Sequence, residues 1–220
     1  ILFGVATGLT KDLHNAFKNT GTAHIIAISG FNIAIIANVF FSTFKNILGE
    51  RRGALIAIIG VIFYALLVGA EAAVVRAAAM GIVALFARMV GRKQWSLNTL
   101  LGIALLMCLW NPLYVWDVGF QLSFFATLGL ILYAEPFSAF TRNLIAKFSK
   151  HDLSTFAKII NDNVVLTFAA QLTTIPIMAY HFKRISLISF IANPFILPVQ
   201  PAVMIASGAA VFTSLVIFPL

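Results

Sequence analysis

Charge is what this sequence has little of. Of its 220 residues only 10% are Asp, Glu, Lys or Arg, against 61% hydrophobic ones, and the mean hydropathy is +0.99. A soluble globular domain carries roughly 25% charged residues, so the composition excludes that class and points to an integral membrane protein. Cysteine is scarce as well. Cys108 stands alone in an apolar run, which leaves no intramolecular disulfide and no cysteine-based metal site to consider. Alternating strands of about ten residues, which a membrane barrel requires, are missing. The opening "ILFGVATGLTKDLHNAF" has no initiating Met, no basic n-region and no cleavage site, so it does not read as a signal peptide. The last residues, "SLVIFPL", stop inside an apolar run, and the chain is read as a fragment of a longer polypeptide.

What the sequence does have is apolar tracts near the roughly 20 residues that a bilayer crossing needs. Residues 1–21 interrupt Leu9, Leu13 and Phe17 with polar groups at near-helical spacing, predicting an interfacial lead-in helix. Spans are expected over Thr22–Phe44, Ala54–Ala70, Ala72–Val90, Ser96–Trp110, Val118–Ala134 and Val164–Tyr180. Residues 185–219 are too long for one crossing and are broken by Pro194, Pro198 and Pro201, which predicts two spans hinged near "PVQP". A basic amphipathic segment, 137–160, is expected to lie at the interface without crossing. The fold class is therefore an all-α integral membrane protein, a polytopic bundle of about eight transmembrane helices plus interfacial amphipathic helices. The channel domain so defined covers residues 22–220.

The formal net charge of +8 fits the positive-inside rule before it requires a polyanionic partner. Lys45, Arg51, Arg52, Arg88, Arg92, Lys93 and the basic residues of 137–160 fall in loops of one side, which becomes the cytoplasmic side; Lys11, Lys18, Lys183 and Arg184 fall on the other.

Polar groups within the spans are the candidates for function, because a charge there costs about 2.5–3.5 kcal/mol on insertion scales. Arg76 needs a partner on another helix, such as Asp117, or an anion, or must reach the outer interface with its head. Thr167, Gln171 and Thr174 recur on one helical face, as do Ser186, Ser189, Asn193 and Gln200, while Asp117 and Gln121 form an i, i+4 pair. Taken singly, such residues glue helices together. As stripes on several helices they favour a shared wet path.

Four stretches, in order, carry a resemblance: "FKNTGTAHIIAISGFNIAIIA", "AAVVRAAAMG", "NPLYVWDVGFQLSFFATLGLILY" and "QLTTIPIMAYHFKRISLISFIANPFILP". Together they resemble the ComEC competence proteins, whose transmembrane domain is understood to conduct single-stranded DNA through the inner membrane. By that resemblance His24, Ser29, Gly30 and Asn32 occupy one family motif, with Asn32 where relatives commonly have His. Arg76 occupies a second; Asp117, Gly119, Phe120, Gln121 and Ser123 occupy the "DxGFQLS" motif; Gln171, Pro176 and Asn193 match late ones.

The expected function is thus an inner-membrane channel conducting single-stranded DNA during natural transformation, on the bacterial cytoplasmic membrane, multi-pass. Its path is expected to be lined by His24, Ser29, Asn32, Arg76, Asp117, Gln121, Ser123, Gln171, Thr174, Ser189 and Asn193, with Lys183 and Arg184 gathering the strand at the outer mouth. The resemblance also implies partners: an OB-like domain and a metallo-β-lactamase-like nuclease domain in the parent chain, a DNA receptor, and membrane lipids. His14, His24, His151 and His181 form no metal-hydrolase cluster, so nuclease activity would belong to that other domain, and no metal, cofactor or catalytic residue is expected here. No Walker-type phosphate loop occurs either, so energy would come from a cytoplasmic ATP-driven translocase. Two rivals are a small-solute transporter, suggested by the proline-broken tract, and an intramembrane serine protease using Ser29, whose "AISG" has Ala27 where glycine is expected.

Overall fold

A computed structural model describes residues 30–69, 72–91, 95–148, 155–183 and 188–217. All regular structure among them is helical: α1 (Gly30–Leu48), α2 (Glu50–Val68), α3 (Ala72–Met89), α4 (Ser96–Trp110), a 3-10 turn (Pro112–Trp116), α5 (Val118–Phe148), α6 (Thr155–Phe182), α7 (Ser189–Ile196) and α8 (Gln200–Ile217). The all-α membrane architecture expected from composition is what the chain adopts. The interfacial lead-in helix expected over 1–21 lies outside the described residues, as do His24, Ser29 and Arg184.

The helix ends follow local chemistry. Gly69 closes α2 at φ 103°, a left-handed conformation open to glycine at little cost, and its N–H returns to the Ala65 and Leu66 carbonyls. α4 stops at Trp110 because Asn111 precedes Pro112 and is driven to an extended conformation (φ −145°, ψ 103°). The Asn111 side chain then accepts from the Leu113 N–H at 3.0 Å, starting the 3-10 turn.

Packing makes two main units. α1, α2 and α3 close around Ile33, Ala37, Phe41, Ala57, Val61, Val74, Ala78 and Leu85. Small residues allow the close approach there: a Cβ on Gly53 would lie 2.7 Å from the Lys45 backbone nitrogen. α5 and α6 form the second unit, with Gly129 set against the Ala169 carbonyl so tightly that no side chain fits between them. α4 and the start of α5 join the first unit through Ile103, Met107 and Phe120. Outward faces carry Phe63, Leu66, Leu105, Leu109 and Ile191, all exposed, as a lipid-facing surface would.

The expected elements come in the expected order, and among the described residues helix length and composition alone mark fewer of them as crossings than the eight expected. Among the described residues three helices are long and apolar enough to span: Ala72–Met89, Val118–Leu144 and Asn161–Phe182. A fourth results if α7 and the first part of α8, bent by 53°, count as one broken span. α4 has only 15 residues, about 22 Å of helix against a hydrocarbon core of about 30 Å. α2 opens on Glu50, Arg51 and Arg52. Within the tract 185–219, α7 is eight residues long, about 12 Å. The amphipathic segment 137–160 is not a helix of its own: α5 runs through Pro136 to Phe148, and residues from Thr155 onward already belong to α6. Proline removes one N–H and bends a helix, yet a long helix packed along its length against a neighbour continues past it.

Candidate functional site

Two polar centres stand out, and different parts of the sequence build them. The first lies where α3 meets the start of α5. Asp117 is the N-terminal cap of α5, its Oδ1 accepting from the Phe120 N–H at 2.6 Å. Gly119 sits in the cap, with a Cβ there meeting Asp117 Oδ1 at 3.2 Å. Arg76 is only 1% exposed. Its Nη1 donates to the Phe120 carbonyl at 2.8 Å, and its guanidinium lies 5.2 Å from the centre of the Phe120 ring. Of the alternatives for Arg76, then, reaching out to the interface is excluded by burial, and a partner on another helix is realised.

The rest of "DVGFQLS" serves the same junction. Gln121 donates from Nε2 to the Val115 carbonyl at 2.8 Å, and its Oε1 is 3.0 Å from His181 Nε2 on α6. The Ser123 carbonyl accepts from Thr127 Oγ1 at 2.8 Å. Lys183 follows His181 at the end of α6, exposed and at φ 51°, with its N–H returning to the Ala179 carbonyl at 3.0 Å. The predicted group Arg76, Asp117 and Gln121 is therefore brought together, but as a stapled helix junction.

The second centre surrounds the break between α7 and α8. Gln171 on α6 donates from Nε2 to Ser189 Oγ on α7 at 2.9 Å. Gln200, the first residue of α8, donates from Nε2 to Asn32 Oδ1 on α1 at 2.7 Å, joining residues 168 positions apart. Asn193 is buried one turn beyond Ser189, beside the 53° bend between α7 and α8. Thr174 turns back on its own helix, donating to the Ala170 carbonyl at 3.0 Å. Gln171 Oε1, Asn193 Oδ1 and Thr167 Oγ1 are buried without a hydrogen-bond partner among the described residues, a state that costs about 1–3 kcal/mol per group unless something outside the chain fills it. Gln171 and His181 are ten positions apart on α6, about 15 Å along its axis, so the two centres lie at different depths.

Two contributors escaped the sequence reading. Thr173 Oγ1 donates across to the Phe125 carbonyl of α5 at 2.6 Å, and Gly129 gives that pair its closeness. A lone threonine beside the expected stripe, and a glycine inside a leucine run, carry no signal that separates them from ordinary helix residues. No group of three or more His, Cys, Asp or Glu able to hold a metal occurs among the described residues.

Comparison with known proteins decides the family. The model of the competence-protein family matches residues 1–220. The chain belongs to the competence-protein family. Among curated relatives, ComE operon protein 3 of Bacillus subtilis is 28% identical over 187 residues, 83% of this chain and 22% of its own length. Recombination protein 2 of Haemophilus influenzae is 27% identical over 219 residues, covering 93% of this chain and 26% of that protein. An uncharacterized protein of Aquifex aeolicus is 29% identical over 138 residues, 62% of this chain and 32% of its own. The chain thus spans between 22% and 32% of the length of these relatives. No solved structure matches it. Family membership gives the chain a role in competence and agrees with the resemblance read from its four motifs.

Proposed function

We propose that this chain is a membrane conduit through which single-stranded DNA passes into the cytoplasm of a naturally competent bacterium. The observation that carries the reading is the bent helix pair α7–α8, held between α1 and α6 by buried amides and bordered by amide oxygens that lack donors. Irregular backbone at membrane depth is tolerated where it lies inside protein or lines a wet cavity. Membership of the competence family, with its role in competence, supports DNA as the cargo.

Within this reading the two centres divide the labour. Gln171, Ser189 and Asn193 line the path at the bend, where oxygens in want of donors accept from water and from the exocyclic amino groups of the bases. Asn32 holds α8 in place through Gln200. Asp117, Gln121 and Lys183 border the outer mouth, while Arg76 ties α3 to α5; the bonds of Ser123 and Thr174 stay within their own helices. His24, Ser29 and Arg184 complete the lining by the family resemblance. Neutral oxygens make weak and numerous contacts, which conduction requires, whereas a ladder of cations would hold each phosphate too long. The conduit works in the cytoplasmic membrane as a multi-pass protein. An OB-like domain and a nuclease domain in the parent chain, a DNA receptor and an ATP-driven translocase are its partners.

The broken pair also supports a second reading, a small-solute transporter, since discontinuous helices mark that class. One experiment separates the two. Fluorescent DNA is offered to a competent host lacking the parent gene, and surface-bound and cytosolic signals are scored apart. DNA held outside until the gene is restored supports the conduit. Normal DNA import without the gene, accompanied by loss of saturable solute uptake, supports the transporter.

A further inference from the structure

The bundle end where α1, α2 and α3 meet gathers charge of one sign. Lys45 Nζ lies 5.7 Å and the Arg88 guanidinium 5.2 Å from the centre of the same ring, Phe41, which is itself buried. One aromatic ring thus holds two cations from two helices in fixed proximity, while both heads remain exposed. α2 adds Arg51 and Arg52 in its first turn, and Gly53 brings that turn onto the Lys45 backbone, where a Cβ would lie 2.7 Å from its nitrogen. Across these three helix ends, four cations face the single carboxylate of Glu50. Immediately beside them Ile47, Leu48, Phe86 and Val90 are all exposed, Ile47 to 72%.

Four like charges gathered at one end of the bundle attract an anion there. We propose that this end of the bundle binds an anionic phospholipid, its phosphodiester held by Lys45 and Arg88 with Arg51 and Arg52 at the rim, and its acyl chains laid against Ile47, Leu48, Phe86 and Val90. The neighbouring apolar surface selects a lipid over free phosphate, which has no use for it. The basic side is the cytoplasmic one by the positive-inside rule, and that leaflet carries the anionic lipids. This site stands apart from the DNA reading, because lipid retention is measured without any transport.

The full-length protein, extracted in detergent, is equilibrated with phosphatidylglycerol or phosphatidylcholine of the same acyl chains, and retained lipid is counted by native mass spectrometry. Selective retention of phosphatidylglycerol is expected, weakened roughly tenfold in K45Q/R88Q, since each basic side chain near an anionic surface contributes measurably. K45R/R88K retains it, and R142Q, which removes an exposed cation from α5, leaves it unchanged. Should K45Q/R88Q fail to fold, R51Q/R52Q gives the same readout with a smaller loss. Equal retention of both lipids, or equal loss in R142Q, overturns the proposal. So does displacement of the lipid by inorganic phosphate alone, or by a single-stranded oligonucleotide with the same dependence on Lys45 and Arg88.

Discussion

The junction at Asp117 and the bend at Asn193 use the same kind of residue to opposite ends. At the junction most polar atoms are absorbed: a carboxylate caps a helix, a guanidinium meets a carbonyl and a ring while its Nη2 stays buried without a partner among the described residues, and a glutamine bridges to His181. At the bend, the nitrogen of Gln171 is engaged while its oxygen and that of Asn193 lack donors among the described residues. A polar group that finishes its bonds inside the protein fixes helices; one that does not is available to a passing molecule. Side-chain chemistry alone does not separate the two cases, because Gln121 and Gln171 carry identical amides.

The largest expected effect tests the junction. Arg76→Ala should lower stability by about 2–3 kcal/mol, through a lost buried hydrogen bond and the space left behind. Thermal unfolding in detergent reads this, and an unchanged midpoint would erase the contrast between the two regions. At the bend the effect should fall on transport. Asn193→Leu is expected to cut DNA import about tenfold, equivalent to ~1.4 kcal/mol, with its melting temperature maintained. Import at the parent level would remove Asn193 from the path.

Smaller effects sharpen the division. Gln200→Leu takes the donor from Asn32 Oδ1 and should cost ~0.6–1.7 kcal/mol, the range for hydrogen bonds between membrane helices. Combined with Asn32→Leu, the two losses should fall short of their sum, as a shared bond requires. Asp117→Ala should cost about 1 kcal/mol for the lost cap, and Asp117→Asn much less, because asparagine caps nearly as well. Last comes His181→Ala: it removes an exposed hydrogen bond and should stay within about 0.5 kcal/mol.

Much of the fold was legible because periodicity and proline leave local marks. The end of α4 at Trp110, the start of α5 at Val118 and the hinge near Pro198 follow from the residues beside them. The lengths of the helices did not follow, since an apolar tract fixes hydropathy and not helix length. Residues 185–219 are mostly apolar, yet three prolines and a bend leave α7 about 12 Å long. The helix boundaries within 137–160 were hidden for a related reason. The basic residues of that segment suggested an interfacial helix, while α5 and α6, paired along their length, absorbed it from both sides.

Composition by itself settled that the chain is a helical membrane protein, because a sequence with 10% charge cannot cover a water-facing surface. Four ordered motifs settled its family. Only the tertiary structure decided what each polar residue does, since a hydrogen-bond partner is a fact about two helices. Gln200 and Asn32 lie 168 positions apart and meet at 2.7 Å. Arg76, isolated in its own helix, finds a carbonyl 44 residues away. Such pairings arise from how helices cross, and helix crossing is set by the small residues and shapes along whole faces rather than by any one stretch of chain.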